Sequence, residues 1–140
     1  MRRHDRLKLC PEFCASISSI TVLIKNFIFI KNTLLKEIAY QIFLDEDGLE
    51  KLRIKFHADK GKILDVVVQY ESFVNNKFVP IIRYDCSHGF FHRDVLYPGG
   101  EKEKQLINIA NLEDALNYAE QDLKDRWEFY KERYLKKIKL

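Results

Sequence analysis

The sequence predicts an α+β domain: an antiparallel β-meander covered on one face by a long C-terminal amphipathic helix. Three observations lead to this fold class. Apolar and polar residues alternate from Leu49 onward, the segment "KILDVVVQYESF" is rich in β-branched and aromatic residues, and one helical stripe of apolar residues follows the last strand signal. Strands followed by a helix indicate α+β rather than a parallel α/β fold.

The first predicted hairpin begins in "LRIKFH". Leu52, Ile54 and Phe56 point to one side and the polar residues between them to the other, which is the period of a half-buried strand. Gly61 in "ADKG" suits the left-handed position of a three-residue hairpin loop. Upstream, "LKEIAYQIFL" at residues 35–44 suits either a short helix or a strand, and "DEDG" ends it.

A second hairpin is predicted at residues 75–76, because asparagine tolerates the positive φ of a two-residue turn. Counting outward from that turn pairs Val68 with Arg83 and Val66 with Asp85. Paired residues share a face of the sheet. We therefore expect Arg83 and Asp85 to continue the core face at one end.

Two further signals lie within and after this hairpin. Pro80 cannot donate a hydrogen bond to a strand ladder, so it indicates an edge position or a β-bulge. "FFHRDVLY" is a candidate for the next strand, which the turn "PGG" closes.

The C-terminal helix is predicted from a capping residue and a continuous apolar stripe. Asn111 can cap the first turn, where Glu113 and Asp114 complement the helix dipole. Apolar residues then recur at steps of three and four: Leu112, Leu116, Ala119, Leu123, Trp127, Tyr130 and Tyr134. A stripe of this length needs a surface to cover, and the strand face is the obvious one.

Residues 1–34 are interpreted as an N-terminal extension and residues 35–140 as a single α+β domain, since the paired strands and the helix lie downstream. The apolar run before residue 33 is interrupted by Lys25 and Asn26, whereas a membrane helix needs about 20 apolar residues. Three cysteines without a zinc or redox spacing suit a reducing compartment. We expect a cytoplasmic protein that does not enter a membrane.

The net charge of +3 is concentrated at the two ends of the chain. Residues 1–40 hold seven basic and three acidic residues, and residues 131–140 hold five and one. The body between them holds twelve basic and seventeen acidic residues, so it is mildly acidic. This balance argues against a body that grips a phosphate backbone, because nonspecific affinity for nucleic acid comes chiefly from clustered Lys and Arg.

The stretch "RYDCSHGFFHRD" at residues 83–94 holds the candidate site residues Arg83, Asp85, His88, His92, Arg93 and Asp94. Two histidines four residues apart share a face on a helix and also on a strand. In an acid/base site a histidine moves protons, Asp85 orients it, and Arg83 or Arg93 stabilises developing negative charge.

Two other interpretations of this stretch stay open. His88 and His92 with Asp94 or Asp85 could supply the imidazole and carboxylate ligands of a metal centre. Alternatively the stretch is a charged turn between strands, with half-buried histidines and solvated or paired charges. We place acid/base chemistry ahead of a metal because nearby arginines would repel a cation. The sequence identifies no other cofactor and no oligomeric state.

The chain resembles a family of short prokaryotic proteins without an assigned function over residues 49–134. The resemblance lies in the order of "VVQYE", "RYD", "HGFFHRD", a proline-glycine turn and the aromatic helix "DLKDRWEFYKERY". More loosely, "RYD" leading into a histidine-bearing segment is similar to the TumE-type toxins of toxin–antitoxin modules. That similarity implies an RNA-directed enzyme with a cognate antitoxin protein as its partner. The alternative from another class is a nonenzymatic interaction protein.

Overall fold

The computed structural model describes the backbone of residues 26–30 and 33–138, with the side chains of residues 35–138 apart from that of His88. Within these residues the chain forms β1 (Asn26–Ile30), β2 (Thr33–Phe43), β3 (Glu50–Asp59), β4 (Lys62–Val74), β5 (Lys77–Asp85), β6 (His92–Leu96), β7 (Lys102–Leu106) and α1 (Leu112–Ile138). A short 3-10 helix, Ser87–Gly89, connects β5 to β6.

The described strands pair in chain order as one antiparallel sheet of seven. The predicted α+β meander with a C-terminal helix is therefore confirmed. Short turns suffice for this order, because antiparallel neighbours do not need the long crossover that parallel strands require. Residues 35–44, which suited a helix or a strand, lie in β2 except for the last of them. No helix in the described ranges is long and apolar enough to cross a membrane.

Two-residue turns join β3 to β4 and β4 to β5. Asn75 and Asn76 have φ angles of 53° and 67°, as the predicted turn requires. Lys60 and Gly61 have φ angles of 53° and 79° and follow the last paired residue of β3 directly. The prediction of a three-residue loop there was wrong. Two consecutive positive φ angles give the turn a twist that matches the twist of paired strands.

The pairing of β4 with β5 contains a β-bulge. From the 75–76 turn the register runs as predicted as far as Ser72 and Val79. It then shifts by one residue just beyond Pro80, which pairs with Glu71. Proline has no N–H to donate to the ladder, so the bulge lies where the sequence indicated an edge or a bulge.

The bulge reverses the faces at the end of β5. Beyond it Val68 pairs with Tyr84 and Val67 pairs with Asp85. The prediction that Arg83 and Asp85 continue the core face was wrong, because a one-residue shift moves every later side chain to the other face. Tyr84 takes the core position and is fully buried.

The core lies between one face of the sheet and α1, which packs against β4 and β5. The strands bury an apolar set beneath the helix: Tyr40, Leu52, Ile54, Val66, Val68, Tyr70, Ile82, Tyr84 and Val95. The predicted helix stripe supplies the other half, with Leu112 and Trp127 partly buried and its other members buried. Removing a large apolar side chain from water contributes about 1.5–3 kcal/mol, so this layer is the main source of stability.

Polar contacts set the start of α1 and its position on the sheet. The N–H of Asp114 donates to Oδ1 of Asn111 at 3.0 Å, which confirms the predicted cap. Farther along the helix, Nζ of Lys131 donates to Oε2 of Glu50 at 2.5 Å. The hydroxyl of Tyr70 donates to Oε1 of the same buried carboxylate at 2.7 Å. Glu50 therefore ties the helix to the sheet.

The N-terminal boundary of the domain stays a prediction. β1 lies within the residues assigned to the extension, and it pairs with β2. Residues 1–25 lie outside the part of the chain that the structure describes.

Candidate functional site

The side of the sheet turned away from α1 carries most of the candidate residues, and we call it the polar face. Because paired residues of neighbouring strands share a face, its side chains form cross-strand rows. The first row is Gln41, Arg53, Gln69, Arg83, Asp94 and Lys104; the second is Ala39, Lys55, Val67, Asp85, His92 and Leu106; the third is Glu37, His57 and Asp65.

Asp85, His92 and Asp94 form a buried cluster on the polar face. Nε2 of His92 lies 3.1 Å from Oδ1 of Asp85 and 3.7 Å from Oδ2 of Asp94. Nδ1 of the same ring lies 3.3 Å from the carbonyl oxygen of Phe90. Oxygen atoms therefore lie near both ring nitrogens, and either nitrogen can donate to them. The side chain of His92 is 1% exposed.

Arg83 connects this cluster to solvent. Its Nε donates to Oδ2 of Asp85 at 2.9 Å, and its Nη1 donates to Oε1 of Gln69 at 3.0 Å. The N–H and hydroxyl of Ser87 donate to Oδ1 of Asp85 at 3.0 and 2.9 Å. Burial raises the pKa of the Asp85 carboxyl, but these hydrogen bonds and the charge of His92 outweigh it and hold the pKa below its ordinary 3.8.

The three side chains of the cluster lie as close together as metal ligands, but the positive charges around them disfavour a bound cation. Asp85, His92 and Asp94 offer three ligand atoms within 4.8 Å of one another. However, Oδ1 of Asp85 already accepts two hydrogen bonds. Nζ of Lys104 lies 3.4 Å from Oδ1 of Asp94, and Nζ of Lys102 lies 3.9 Å from Oδ2. A bound cation would meet these positive charges at close range, so the surroundings favour an ion-pair cluster over a metal centre.

Arg93 lies on the other side of the sheet, beneath α1. Its Nη1 donates to the hydroxyl of Tyr84 at 3.1 Å and to that of Tyr130 at 2.9 Å. Both hydroxyls in turn donate to Oδ2 of Asp122, at 2.6 and 2.7 Å. Burial and the hydrogen bond to Asp122 raise the pKa of Tyr130 to about 12 and raise the pKa of Tyr84 as well. The sheet therefore separates Arg93 from the cluster.

The expectation for His88 concerns a side chain outside the described residues. Its backbone lies in the 3-10 helix Ser87–Gly89, and Gly89 follows with a φ of 86°. His92 begins β6, so the two histidines belong to different elements. A site that both histidines share stays a prediction.

A shallow pocket of about 490 Å³ lies on the polar face beside the cluster. Its polar lining consists of Gln41, Arg53, Lys55, Gln69, Glu71 and Arg83. The candidate residues chosen from the sequence did not include Arg53 or Lys55. The alternation in "LRIKFH" places both on the side opposite the core, and this was the signal that could have found them.

A family model described as a domain of unknown function (DUF7718) matches residues 32–140, most of the chain. The chain belongs to the DUF7718 family. The DUF7718 match runs from just before β2 through α1, so it includes the buried cluster and the pocket. No match is found among curated proteins or among solved structures. The expected family without an assigned function is confirmed for this DUF7718 domain, whereas the similarity to TumE-type toxins stays a prediction.

Proposed function

We propose that this DUF7718 domain binds single-stranded RNA on its polar face, with Arg83 as the central contact to phosphate. The phosphate chemistry is argued from the site itself. The choice of RNA follows the resemblance to RNA-directed toxins. Asp85 acts in this proposal as a positioning residue, because it holds Arg83 rather than touches the ligand. His92, which lies against Asp94, contacts Asp85 in turn and supports it.

The observation that carries the proposal is the way Arg83 is held. Its Nε and Nη1 are engaged by Asp85 and Gln69, yet its side chain is 40% exposed beside the pocket. A guanidinium has five N–H donors in a fixed plane, so two contacts that orient it leave others for an incoming oxygen. Arginine is the residue best suited to phosphate because its planar fork matches two phosphate oxygens.

The exposed charge of the pocket is positive although the body of the chain is mildly acidic. Arg53 and Lys55 are 58% and 53% exposed, so their charged ends reach solvent. The side chains of Glu71 and Asp85 are more deeply buried, at 10% and 9% exposed. A phosphate approaching this face therefore meets the cations first, which supports anion binding despite the net count.

RNA cleavage is a second candidate, supported by the Asp85–His92 contact. A carboxylate beside an imidazole is a common acid/base arrangement. A catalytic group must come within hydrogen-bond reach of the substrate, however, and His92 is 1% exposed. We therefore place RNA binding ahead of cleavage and assign His92 to positioning.

Fluorescence anisotropy with a labelled single-stranded RNA tests the proposal. Arg83→Gln should weaken binding about tenfold, which corresponds to about 1.4 kcal/mol. The slope of log affinity against log salt should fall by about 0.7, the contribution of one phosphate contact to a single strand. The matched control is Lys124→Gln, which removes one similarly exposed positive charge from α1 and should leave affinity almost unchanged.

Three results would contradict this proposal. The proposal fails if the wild-type protein binds no RNA. Binding of an acidic protein to the same face would then favour an antitoxin-type partner. Equal effects of Arg83→Gln and Lys124→Gln would show that only overall charge matters. Tighter binding of single-stranded DNA of the same sequence would overturn the choice of RNA.

A further inference from the structure

His57 lies on the polar face between two carboxylates. Its Nδ1 lies 2.9 Å from Oδ1 and 3.1 Å from Oδ2 of Asp65, and its backbone N–H donates to the same Oδ1 at 3.1 Å. Its Nε2 lies 3.4 Å from Oε2 of Glu37. Two contacts to Asp65, one from the ring and one from the backbone, fix the ring, and the opposite nitrogen points along the face.

A β-bulge produces this arrangement. His57 pairs with Asp65, but the next pair is Ala58 with Ile63, so β4 carries one extra residue, Leu64. Such an insertion bends the strand and redirects the side chains beside it. Here it brings the carboxylate of Asp65 to both the ring and the backbone of His57.

Glu37 bridges His57 to the pocket. Its Oε2 lies 3.4 Å from Nζ of Lys55 and 3.4 Å from Nε2 of His57. Both distances exceed those of a normal hydrogen bond, about 2.7–3.2 Å, so the two contacts are weak. Ion pairs with this much exposure contribute little to stability, because solvent screens them. One negatively charged oxygen thus lies between two nitrogen donors and is held only loosely.

We propose that Lys55 and His57 form a second phosphate site and that the carboxylate of Glu37 fills it when no ligand is bound. This inference rests on the proposed function, because it extends the binding of RNA by one phosphate beyond Arg83. A phosphate oxygen placed where Oε2 of Glu37 lies would accept from Nζ of Lys55 and from Nε2 of His57. The imidazole would donate from Nε2, while Asp65 holds the ring through its contacts to Nδ1.

The spacing along β3 fits a linear anion. Arg53, Lys55 and His57 are alternate residues on one face, so their backbones repeat about every 6.8 Å along the strand. Lys55 belongs both to the pocket that holds Arg83 and to the proposed second site. These side chains thus form a continuous line along β3, which fits the backbone of a single strand better than one small anion.

Two variants that each remove one negative charge distinguish this site from general electrostatics. Glu37→Gln should tighten binding of the labelled single-stranded RNA about threefold, because it removes the competing carboxylate. Asp65→Asn should weaken binding about threefold, because His57 loses the carboxylate that orients its ring. His57→Gln should also weaken binding, and it serves as the second test if Asp65→Asn melts at a markedly lower temperature than wild type.

The outcomes separate this inference from the proposed function. If wild-type protein binds RNA through Arg83 but Glu37→Gln and Asp65→Asn shift the affinity in the same direction, the second site is excluded and the proposed function stands. The same holds if His57→Gln binds like wild type. If wild-type protein binds no RNA, or Arg83→Gln has no effect, the proposed function fails and this inference fails with it.

Discussion

Arg83 and Asp85 are two residues apart on β5 and form an ion pair, with 2.9 Å between Nε and Oδ2, at the boundary between the buried cluster and the pocket. Alternate residues of a strand share a face, so the strand itself brings the two side chains together. Asp85 is buried against His92, whereas Arg83 reaches solvent. Through this ion pair the buried cluster therefore restrains the exposed guanidinium of Arg83.

Asp85→Asn should weaken RNA binding although it removes a negative charge. The amide cannot form the ion pair, so Arg83 samples more orientations and loses the preorganisation that favours binding. The control is Asp47→Asn in the exposed β2–β3 turn, which should leave affinity equal or slightly tighter. Parallel anisotropy titrations measure both, and a gain in affinity for Asp85→Asn equal to that of Asp47→Asn would disprove the positioning role.

The contribution of Asp85 to stability should depend on pH. The pKa of its carboxyl is lower in the folded protein than its ordinary 3.8, so the folded state favours the ionised form. The resulting stabilisation is present above pH 3.8 and is lost as the pH falls through the folded pKa. The difference in melting temperature between wild type and Asp85→Asn should therefore shrink from pH 6 to pH 3. A difference that is constant across this range would show that ionisation of the Asp85 carboxyl does not contribute to stability.

The sequence predicted most of the fold because each element carries its own local signal. Alternation in "LRIKFH", the asparagine turn and the stripe of α1 need no information from the rest of the chain. The faces at the end of β5 could not be predicted in this way. One extra residue beside Pro80 places Tyr84 instead of Arg83 on the core face. The proline indicated that a bulge could form, but not how it would change the pairing beyond it.

The candidate site was predicted only in part for the same reason. Asp85, His92 and Asp94 do lie together, since even spacing along β6 and pairing with β5 place them on one face. Arg93 has odd spacing from both of its neighbours in that set, so it points to the helix. The burial of His92 depends on the surrounding side chains, which local spacing does not indicate.

Trp127→Ala should lower the free energy of unfolding by about 3 kcal/mol, because the indole fills space beneath α1 and packs edge-on against Tyr70 with 6.2 Å between ring centroids. RNA affinity should stay unchanged, since the indole lies on the side of the sheet opposite the pocket. Glu128→Ala, at the neighbouring exposed position, is the control for chemical denaturation. Equal loss of stability in both variants would place Trp127 outside the core.

Lys131→Ala should destabilise the protein by about 1–3 kcal/mol, because Glu50 would keep a buried carboxylate with one donor fewer. Lys124→Ala breaks only an exposed contact with Glu120 and should change stability by less than about 0.5 kcal/mol. Thermal melts of the two variants compare the contacts directly. Indistinguishable melting temperatures would mean that the link between Lys131 and Glu50 does not hold the helix on the sheet.

A chain of residues 35–140 should remain soluble and unfold cooperatively without residues 1–34. The described core side chains and α1 all lie within this range. Among the described residues, the truncation therefore removes only β1, the first two residues of β2 and the pairing between these strands. Thermal unfolding followed by circular dichroism measures the cooperativity. Insolubility or a broad, noncooperative melt would show that the first 34 residues are an integral part of the sheet.

Backbone and arginine side-chain NMR of the labelled protein, titrated with single-stranded RNA, tests the central claim most directly. RNA bound on the polar face should shift the Nε–H resonance of Arg83 and the amide resonances of the pocket strands β2, β3, β4 and β5. The resonances of the outward-facing residues of α1, including Lys124, should not shift. Shifts confined to α1 or to the chain ends, with the Arg83 resonance unmoved at saturating RNA, would contradict the assignment of the polar face as the RNA-binding surface.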